Sequence, residues 1–198
     1  MARQTVAAFD FDGTITTKDT LIEFIRFTHG TTGLAWGFFV LMPVLVLYKI
    51  KVIPNYKAKQ IVFAWFYKGW SIEKFDEKGN AFASNIAPII NPAALAAIKQ
   101  YESDGAQILI LTASVENWVL PWARSVGINT VLGTKIKIDS TNKITGRFLS
   151  KNCYGQEKVE RLLQIYPDRE SYTLDAYGDS RGDKELLAFA DTGYLKKF

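Results

Sequence analysis

The chain has 198 residues, a formal net charge of +4, 48% hydrophobic residues, one cysteine and one histidine. That length and apolar share suit one folded core, or a core with a small insert, and argue against disorder. The mild basic excess, with no dense Lys/Arg block, gives no reason to expect nucleic-acid binding and favours anionic substrates or an anionic membrane surface. Cys153 alone forms no internal disulfide and argues against a cysteine zinc site; His29 alone excludes histidine triads and two-histidine metal sites. Chemistry is left to carboxylates, hydroxyls and lysine.

Met1-Ala2-Arg3-Gln4 has no long apolar run or small-residue cleavage site, so no signal peptide is expected, and a reducing cytoplasm fits the single cysteine. A strand is expected from about Thr5 to Phe9, closing in Asp10-Phe11-Asp12-Gly13-Thr14. A helix should run from about Thr20 to Thr28 and end at His29, before Gly30. Leu34 to Tyr48 is uncharged but interrupted by Gly37 and Pro43. It is shorter than the ~20 residues that span a bilayer, and Pro43 should kink it. Lys49, Lys51, Lys57 and Lys59 follow, and further helices are expected over about Tyr56 to Tyr67 and Ile72 to Ile86. Asn91 as N-cap, Pro92 at the first helical position and Gly105 as a stop frame the next helix. Gln107 to Leu111 reads as a strand ending in Thr112-Ala113-Ser114, followed by a helix from about Val115 to Ser125 that Pro121 should kink. Val131 to Thr134 is a short strand, and Lys135 to Leu149 a hairpin around Asp139-Ser140-Thr141-Asn142. Gln156 to Tyr166 is an amphipathic helix, Ser171 to Tyr177 a strand closing at Gly178-Asp179-Ser180, and Asp183 to Ala190 the last helix.

Strands alternate with helices after Asn91, which argues for a parallel sheet. The helical block before it reads as an insertion, giving an α/β core of residues 1–16 and 91–198 and an insert of 17–90. Polar clusters close three strands: Asp10/Asp12, Thr112/Ser114 and Asp179/Asp183. Strands of one parallel sheet end at the same edge, so these clusters should converge. An extended backbone turns Asp10 and Asp12 to one side, where two carboxylates repel unless a cation or a shared proton relieves them. Gly13 lets the backbone turn sharply and approach a ligand. The pattern suits a magnesium ion and a phosphate.

In this order, Asp10-Phe11-Asp12-Gly13-Thr14, Thr112, Lys158 and Gly178-Asp179-Ser180-Arg181-Gly182-Asp183 resemble the four motifs of the haloacid dehalogenase superfamily. The helical block after the first motif is similar to that superfamily's C1 cap, and the spacing to its subfamily IB, which includes phosphoserine phosphatases. The resemblance implies a three-layer Rossmann-like core with an inserted helical cap, and hydrolysis of a phosphate monoester through an aspartyl-phosphate. It implies that Asp10 is the nucleophile and Asp12 the acid and base. Asp10, the Asp12 backbone carbonyl and Asp179 would hold Mg²⁺, a hard cation that takes oxygen ligands. Thr112 would hydrogen-bond a phosphoryl oxygen, Lys158 would neutralise charge on the equatorial oxygens, and Asp183 would orient Lys158 or metal-bound water. Lys151 competes for the lysine role. Gly13, Thr14, Asp19, Ala113 and Ser114 would face the substrate.

Asp19 stands where phosphoserine phosphatases carry a glutamate for the substrate ammonium, and Ala113-Ser114 replaces their paired glycines; both departures argue against phosphoserine. The apolar segment and Cys153-Tyr154-Gly155-Gln156-Glu157-Lys158-Val159 are similar to subfamily IB lipid phosphatases acting on phosphatidylglycerophosphate. Leu34 to Tyr48 reads either as the core of the cap bundle or, as this resemblance implies, as a peripheral membrane contact, with the lysines meeting anionic headgroups and Trp36, Trp65 and Trp70 at the interface. A soluble small-metabolite phosphatase and a non-catalytic regulatory or membrane-binding module are the other readings. The sequence sets no oligomeric state.

Overall fold

The computed structural model describes residues 3–198; Met1 and Ala2, where the leaderless start was read, lie outside the described residues. In chain order the elements are β1 (Gln4–Phe9), α1 (Thr20–Val40), α2 (Met42–Lys49), α3 (Asn55–Tyr67), α4 (Ile72–Asn85), α5 (Pro92–Ser103), β2 (Gln107–Val115) and α6 (Glu116–Ser125). There follow β3 (Thr130–Thr134), β4 (Ile136–Ile138), β5 (Ile144–Phe148), α7 (Gln156–Ile165), β6 (Tyr172–Gly178), α8 (Lys184–Phe189) and β7 (Thr192–Leu195). The sheet runs β3-β2-β1-β6-β7, with every pairing parallel, and β4 and β5 form a separate antiparallel hairpin.

The strands carry near-continuous apolar runs because both faces of the sheet are covered. Ala7, Phe9 and Ile110 face the cluster that includes Ile98 of α5 and Trp118, Val119 and Trp122 of α6. Val6, Ala8, Leu109, Leu111, Leu174 and Ala176 face Val159 and Leu162 of α7 and Leu186 of α8. The result is the expected three-layer α/β arrangement. From β1 the chain first builds outward through β2 and β3, then returns to place β6 and β7 on the other side. The crevice where ligands dock in such sheets therefore opens at the end of β1.

Helices α1 to α4 sit between β1 and α5. The two passages that lead in and out run side by side, with Thr17 N donating to Ile89 O at 2.8 Å and Asn91 N to Ile15 O at 2.8 Å. Phe24 anchors the block: Tyr67, Phe75, Phe82 and Trp118 surround it at ring separations of 4.8 to 5.5 Å. Because Trp118 belongs to α6, the block and the core share one apolar cluster. The hairpin adds a second attachment. Gly69 N donates to Ile144 O, Ile144 N to Trp70 O and Ile72 N to Asn142 O, at 2.8 to 2.9 Å, so β5 pairs along the segment between α3 and α4.

Several details differ from expectation. Non-helical backbone at Gly30, φ 72°, breaks α1 where the reading of Thr20 to Thr28 ends it, and what was not expected is that helix resumes beyond the kink to Val40. The bend in the apolar segment falls at Leu41, where α1 and α2 meet at 63°, and Pro43 lies near the start of α2, where its missing N–H costs little. Helix α6 is continuous across Pro121. Strand β7 is an element with no expectation attached. Among the described residues no single helix is long and apolar enough to cross a membrane; α1 and α2 have the length and composition only as a bent pair.

Helices α1 and α2 leave apolar side chains outside. Trp36 and Phe39 stack at 5.7 Å and are 63% and 67% exposed, and Val40, Met42, Val46, Leu47 and Ile50 are exposed beside them. Exposed Lys49, Lys51 and Lys57 border this face. Trp65 is also exposed, whereas Trp70 is half-buried under Lys74, so only two of the three tryptophans named for the interface are on the surface.

Candidate active site

The end of β1 delivers Asp10, whose N–H continues the ladder by donating to Tyr177 O at 2.9 Å. A tight turn follows, with Thr16 N donating back to Phe11 O at 2.9 Å and Gly13 at φ 78°. A Cβ on Gly13 would stand 2.4 Å from Asp179 Oδ2, so glycine is what lets the first and last acidic loops touch.

Lys158 enters from the first turn of α7 and ends between two carboxylates. Its Nζ lies 2.7 Å from Asp10 Oδ1 and 2.5 Å from Asp183 Oδ1, and Lys158 and Asp183 are almost wholly buried. The other oxygen of Asp183 accepts the Asp179 and Ser180 main-chain N–H groups at 3.2 and 3.0 Å and the Ser180 hydroxyl at 3.0 Å. Asp183 thus fixes the lysine and folds the last acidic loop in one contact set. The competing Lys151 is 81% exposed and approaches only Glu157, at 3.8 Å.

Burial pushes Asp10 up to about 7, while Lys158 pulls it down and Asp183 pushes it up further. Burial works against the Lys158 ammonium, but Asp10 and Asp183 outweigh it and hold its pKa above the usual lysine range. Burial and the neighbouring Asp183 raise Asp179 as well. Asp10, Asp179 and Asp183 can each offer an oxygen with all three within 4.8 Å of one another. With one ammonium among them, hard oxygen donors at this density fit a divalent cation such as Mg²⁺.

The other residues named from sequence fall into two groups. Asp12, Gly13, Asp19 and Ala113 line the same cavity as Asp10, Lys158, Asp179 and Asp183, a space of about 450 Å³. Asp19 also caps α1, accepting from Leu21 N and Ile22 N at 3.0 and 3.2 Å. Thr112, Ser114 and Thr14 are buried behind this wall. Thr112 Oγ1 accepts the Ser114 N–H at 2.9 Å, Ser114 donates to Asp12 at 2.5 Å, and the Thr14 hydroxyl has no partner.

The structure adds residues that sequence reading missed. Lys59, read with the surface lysines, turns inward from α3, lines the cavity and donates to Ala113 O at 2.9 Å. Its neighbours Ala58 and Val62 lie on the buried face of α3, the one local sign of that direction. Thr20 and Trp118 join the Asp12 hydrogen bonds from α1 and α6, and nothing in their local sequence marks them. Leu21, Ile22, Phe38, Leu45 and Val62 form an apolar roof over the charged floor.

A parallel sheet whose switch-point crevice gathers five aspartates and a buried lysine defines the class of protein. The chain belongs to the haloacid dehalogenase-like hydrolases, whose family profile matches residues 7–188. Protein CicA of Caulobacter vibrioides is 35% identical over 189 residues, covering 94% of this chain and 83% of that protein. A solved protein of unknown function from Bordetella pertussis Tohama I has the same fold, with a TM-score of 0.79 at 19% identity over 95% of this chain and 87% of its own. So does a phosphoserine phosphohydrolase-like protein from Francisella tularensis, with a TM-score of 0.67 at 15% identity over 96% and 84%.

Proposed function

We propose that this hydrolase is a Mg²⁺-dependent phosphatase of the subfamily IB type that cleaves phosphate monoesters through phospho-Asp10. The observation that carries the reading is the Lys158 ammonium held between Asp10 and Asp183 beside Asp12, because it sets a nucleophile, a cation and a proton carrier on one cavity wall. In the first step an Asp10 oxygen forms a bond to phosphorus as the ester P–O bond breaks, and Asp12 gives its proton to the departing oxygen. In the second, water attacks phosphorus, Asp12 takes a water proton, and the Asp10–phosphorus bond breaks to release phosphate. Lys158 offsets the negative charge spread over the transferring oxygens. Mg²⁺, held by Asp10, Asp179 and the Asp12 carbonyl, would supply further charge neutralisation at the phosphate. Asp183 keeps Lys158 in place.

Helices α1 to α4, residues 17–90, act as a cap hinged at the paired Ile15–Thr17 and Ile89–Asn91 passages, which excludes water from the site. The apolar roof favours a phosphate ester with an apolar portion. The same helices that form it, α1 and α2, carry the exposed Trp36, Phe39, Met42, Val46 and Leu47 bordered by lysines. An amphiphilic lipid phosphate such as phosphatidylglycerophosphate, taken by an enzyme resting on the cytoplasmic surface of an anionic membrane, fits both sides of this cap.

The test is Mg²⁺-dependent phosphate release from phosphatidylglycerophosphate in mixed micelles, with phosphoserine in parallel and Asp10→Asn as the blank. Release from the lipid alone, abolished by Asp10→Asn, supports the full reading. Turnover of soluble esters alone limits the apolar roof to cap packing and moves the substrate to small metabolites. Activity that survives Asp10→Asn overturns the nucleophile assignment.

A further inference from the structure

The Asp12 carboxylate is held by donors from two elements. Its Oδ1 accepts the Thr20 main-chain N–H at 2.8 Å and the Thr20 hydroxyl at 2.5 Å, and its Oδ2 accepts the Ser114 hydroxyl at 2.5 Å. Trp118 Nε1, which can only donate, gives its hydrogen to Thr20 Oγ1 at 3.1 Å. Thr20, Ser114 and Trp118 are fully buried, so solvent does not compete for these bonds.

Counting lone pairs distinguishes the two oxygens. Each carboxylate oxygen offers two acceptor sites. Thr20 fills both on Oδ1. Ser114 fills one on Oδ2, and one remains, on a residue that lines the cavity. The hydroxyl hydrogens also balance. The indole N–H makes Thr20 an acceptor, which leaves the Thr20 hydrogen for Oδ1, and the Ser114 hydrogen goes to Oδ2. Ser114 Oγ lies 3.1 Å from Thr20 Oγ1, but with both hydrogens committed to Asp12 this is a contact of two acceptors and not a further hydrogen bond.

We infer that Thr20, Ser114 and Trp118 are positioning residues that aim the free lone pair of Asp12 Oδ2 at the ester oxygen, making Oδ2 and not Oδ1 the proton carrier. As the bond from Asp10 to phosphorus forms and the ester P–O bond breaks, the proton leaves Oδ2 for the departing oxygen. In the second step a water proton returns to Oδ2. The inference rests on the acid–base role proposed for Asp12. Because Thr20 opens α1 and Ser114 closes β2, it also makes the aim of Asp12 depend on how the cap base seats on the core.

The experiment measures single-turnover phosphoryl transfer for two probes, p-nitrophenyl phosphate and glycerol 3-phosphate. Nitrophenolate departs without a proton, whereas the glycerol alkoxide needs one. Thr20→Val and Ser114→Ala should slow the glycerol ester by about tenfold or more beyond any effect on the nitrophenyl ester, a part of the 10²–10⁴ that a well-placed acid contributes. Thr20→Ser, which keeps the hydroxyl, should recover most of that loss. Trp118→Phe, which removes the indirect donor together with part of the indole packed on Phe24, should shift discrimination in the same direction by less, and Ser114→Ala alone serves where Thr20→Val fails to fold. Equal slowing of both esters, or no slowing of either, overturns the positioning role if Asp12→Ala still discriminates between them. If Asp12→Ala also slows both alike, the acid–base role fails and the inference falls with it.

Discussion

Gly13 has no room for a side chain. Its φ of 78° lies in the left-handed region, and a Cβ would meet Asp179 Oδ2 at 2.4 Å. Gly13→Ala should cost about 10²-fold in kcat by displacing the acidic loop by about 1 Å, measured as Mg²⁺-dependent phosphate release. Lys158→Met should destabilise the metal-free protein by roughly 3–5 kcal/mol in denaturant unfolding, because Asp10 and Asp183 would lose their buried counter-charge. Cys153 offers a check without catalysis. Burial pushes its thiol from an ordinary value of 9.0 up to about 11. The folded chain keeps that proton between pH 9 and 11 where the unfolded chain gives it up. Its contribution to stability is therefore complete below pH 9 and is lost as pH rises to 11, by about 3 kcal/mol. Cys153→Ala should flatten that part of the stability profile. At this scale the carboxylates were legible because polar clusters at strand ends of a parallel sheet share an edge. Lys59 was not read inward, because the apolar Ala58 and Val62 beside it are its one local sign of direction among several lysines, and Thr20 and Trp118 gain their roles only from partners far along the chain.

Helix α6 stays helical across Pro121, as the reading of Val115 to Ser125 expected. A proline removes the N–H that would bond the carbonyl four residues earlier, here that of Asn117. That carbonyl faces Gly79 of α4, where a Cβ would stand 2.4 Å from it, and the Asn117 side chain donates to Asp76 Oδ1 at 2.6 Å. Close packing of α4 thus covers the site where the ladder is interrupted. Gly79→Ala should lower the melting temperature even though alanine is the better helix former by about 1 kcal/mol, since forcing the helices apart costs typically 1–3 kcal/mol. Capped helices such as α5, with Asn91 Oδ1 accepting from Ala93 N at 3.1 Å, were readable because their end signals are local. Strand β7 was not, because Thr192-Gly193-Tyr194-Leu195 is four residues without alternation and its pairing to β6 is set by tertiary contact.

The whole molecule presents one chemically uneven surface. If the face of α1 and α2 meets a membrane, the double variant Trp36→Ser/Phe39→Ser should weaken cosedimentation with anionic vesicles by tenfold or more, on the scale of about 1.5–3 kcal/mol per buried aromatic, while leaving soluble-ester turnover intact. Vesicle binding unchanged by the substitutions would return this face to the status of bare surface. The fold class was legible from the order of strands and helices, as was the helical run that forms α1 to α4. The attachment of the hairpin to that block was not, because the backbone hydrogen bonds between Gly69–Ile72 and Asn142–Ile144 join segments some seventy residues apart and leave no mark in either. That seam constrains how such proteins can diversify. The roof of the cavity lies on the helices, but those helices are tied to a second stretch of chain, the hairpin that pairs with the segment between α3 and α4. A recombination event that imports a relative's residues 17–90 alone would bring in a strand edge without its matching partner, so new specificities at this site travel by paired exchange of both stretches or by point substitution within them.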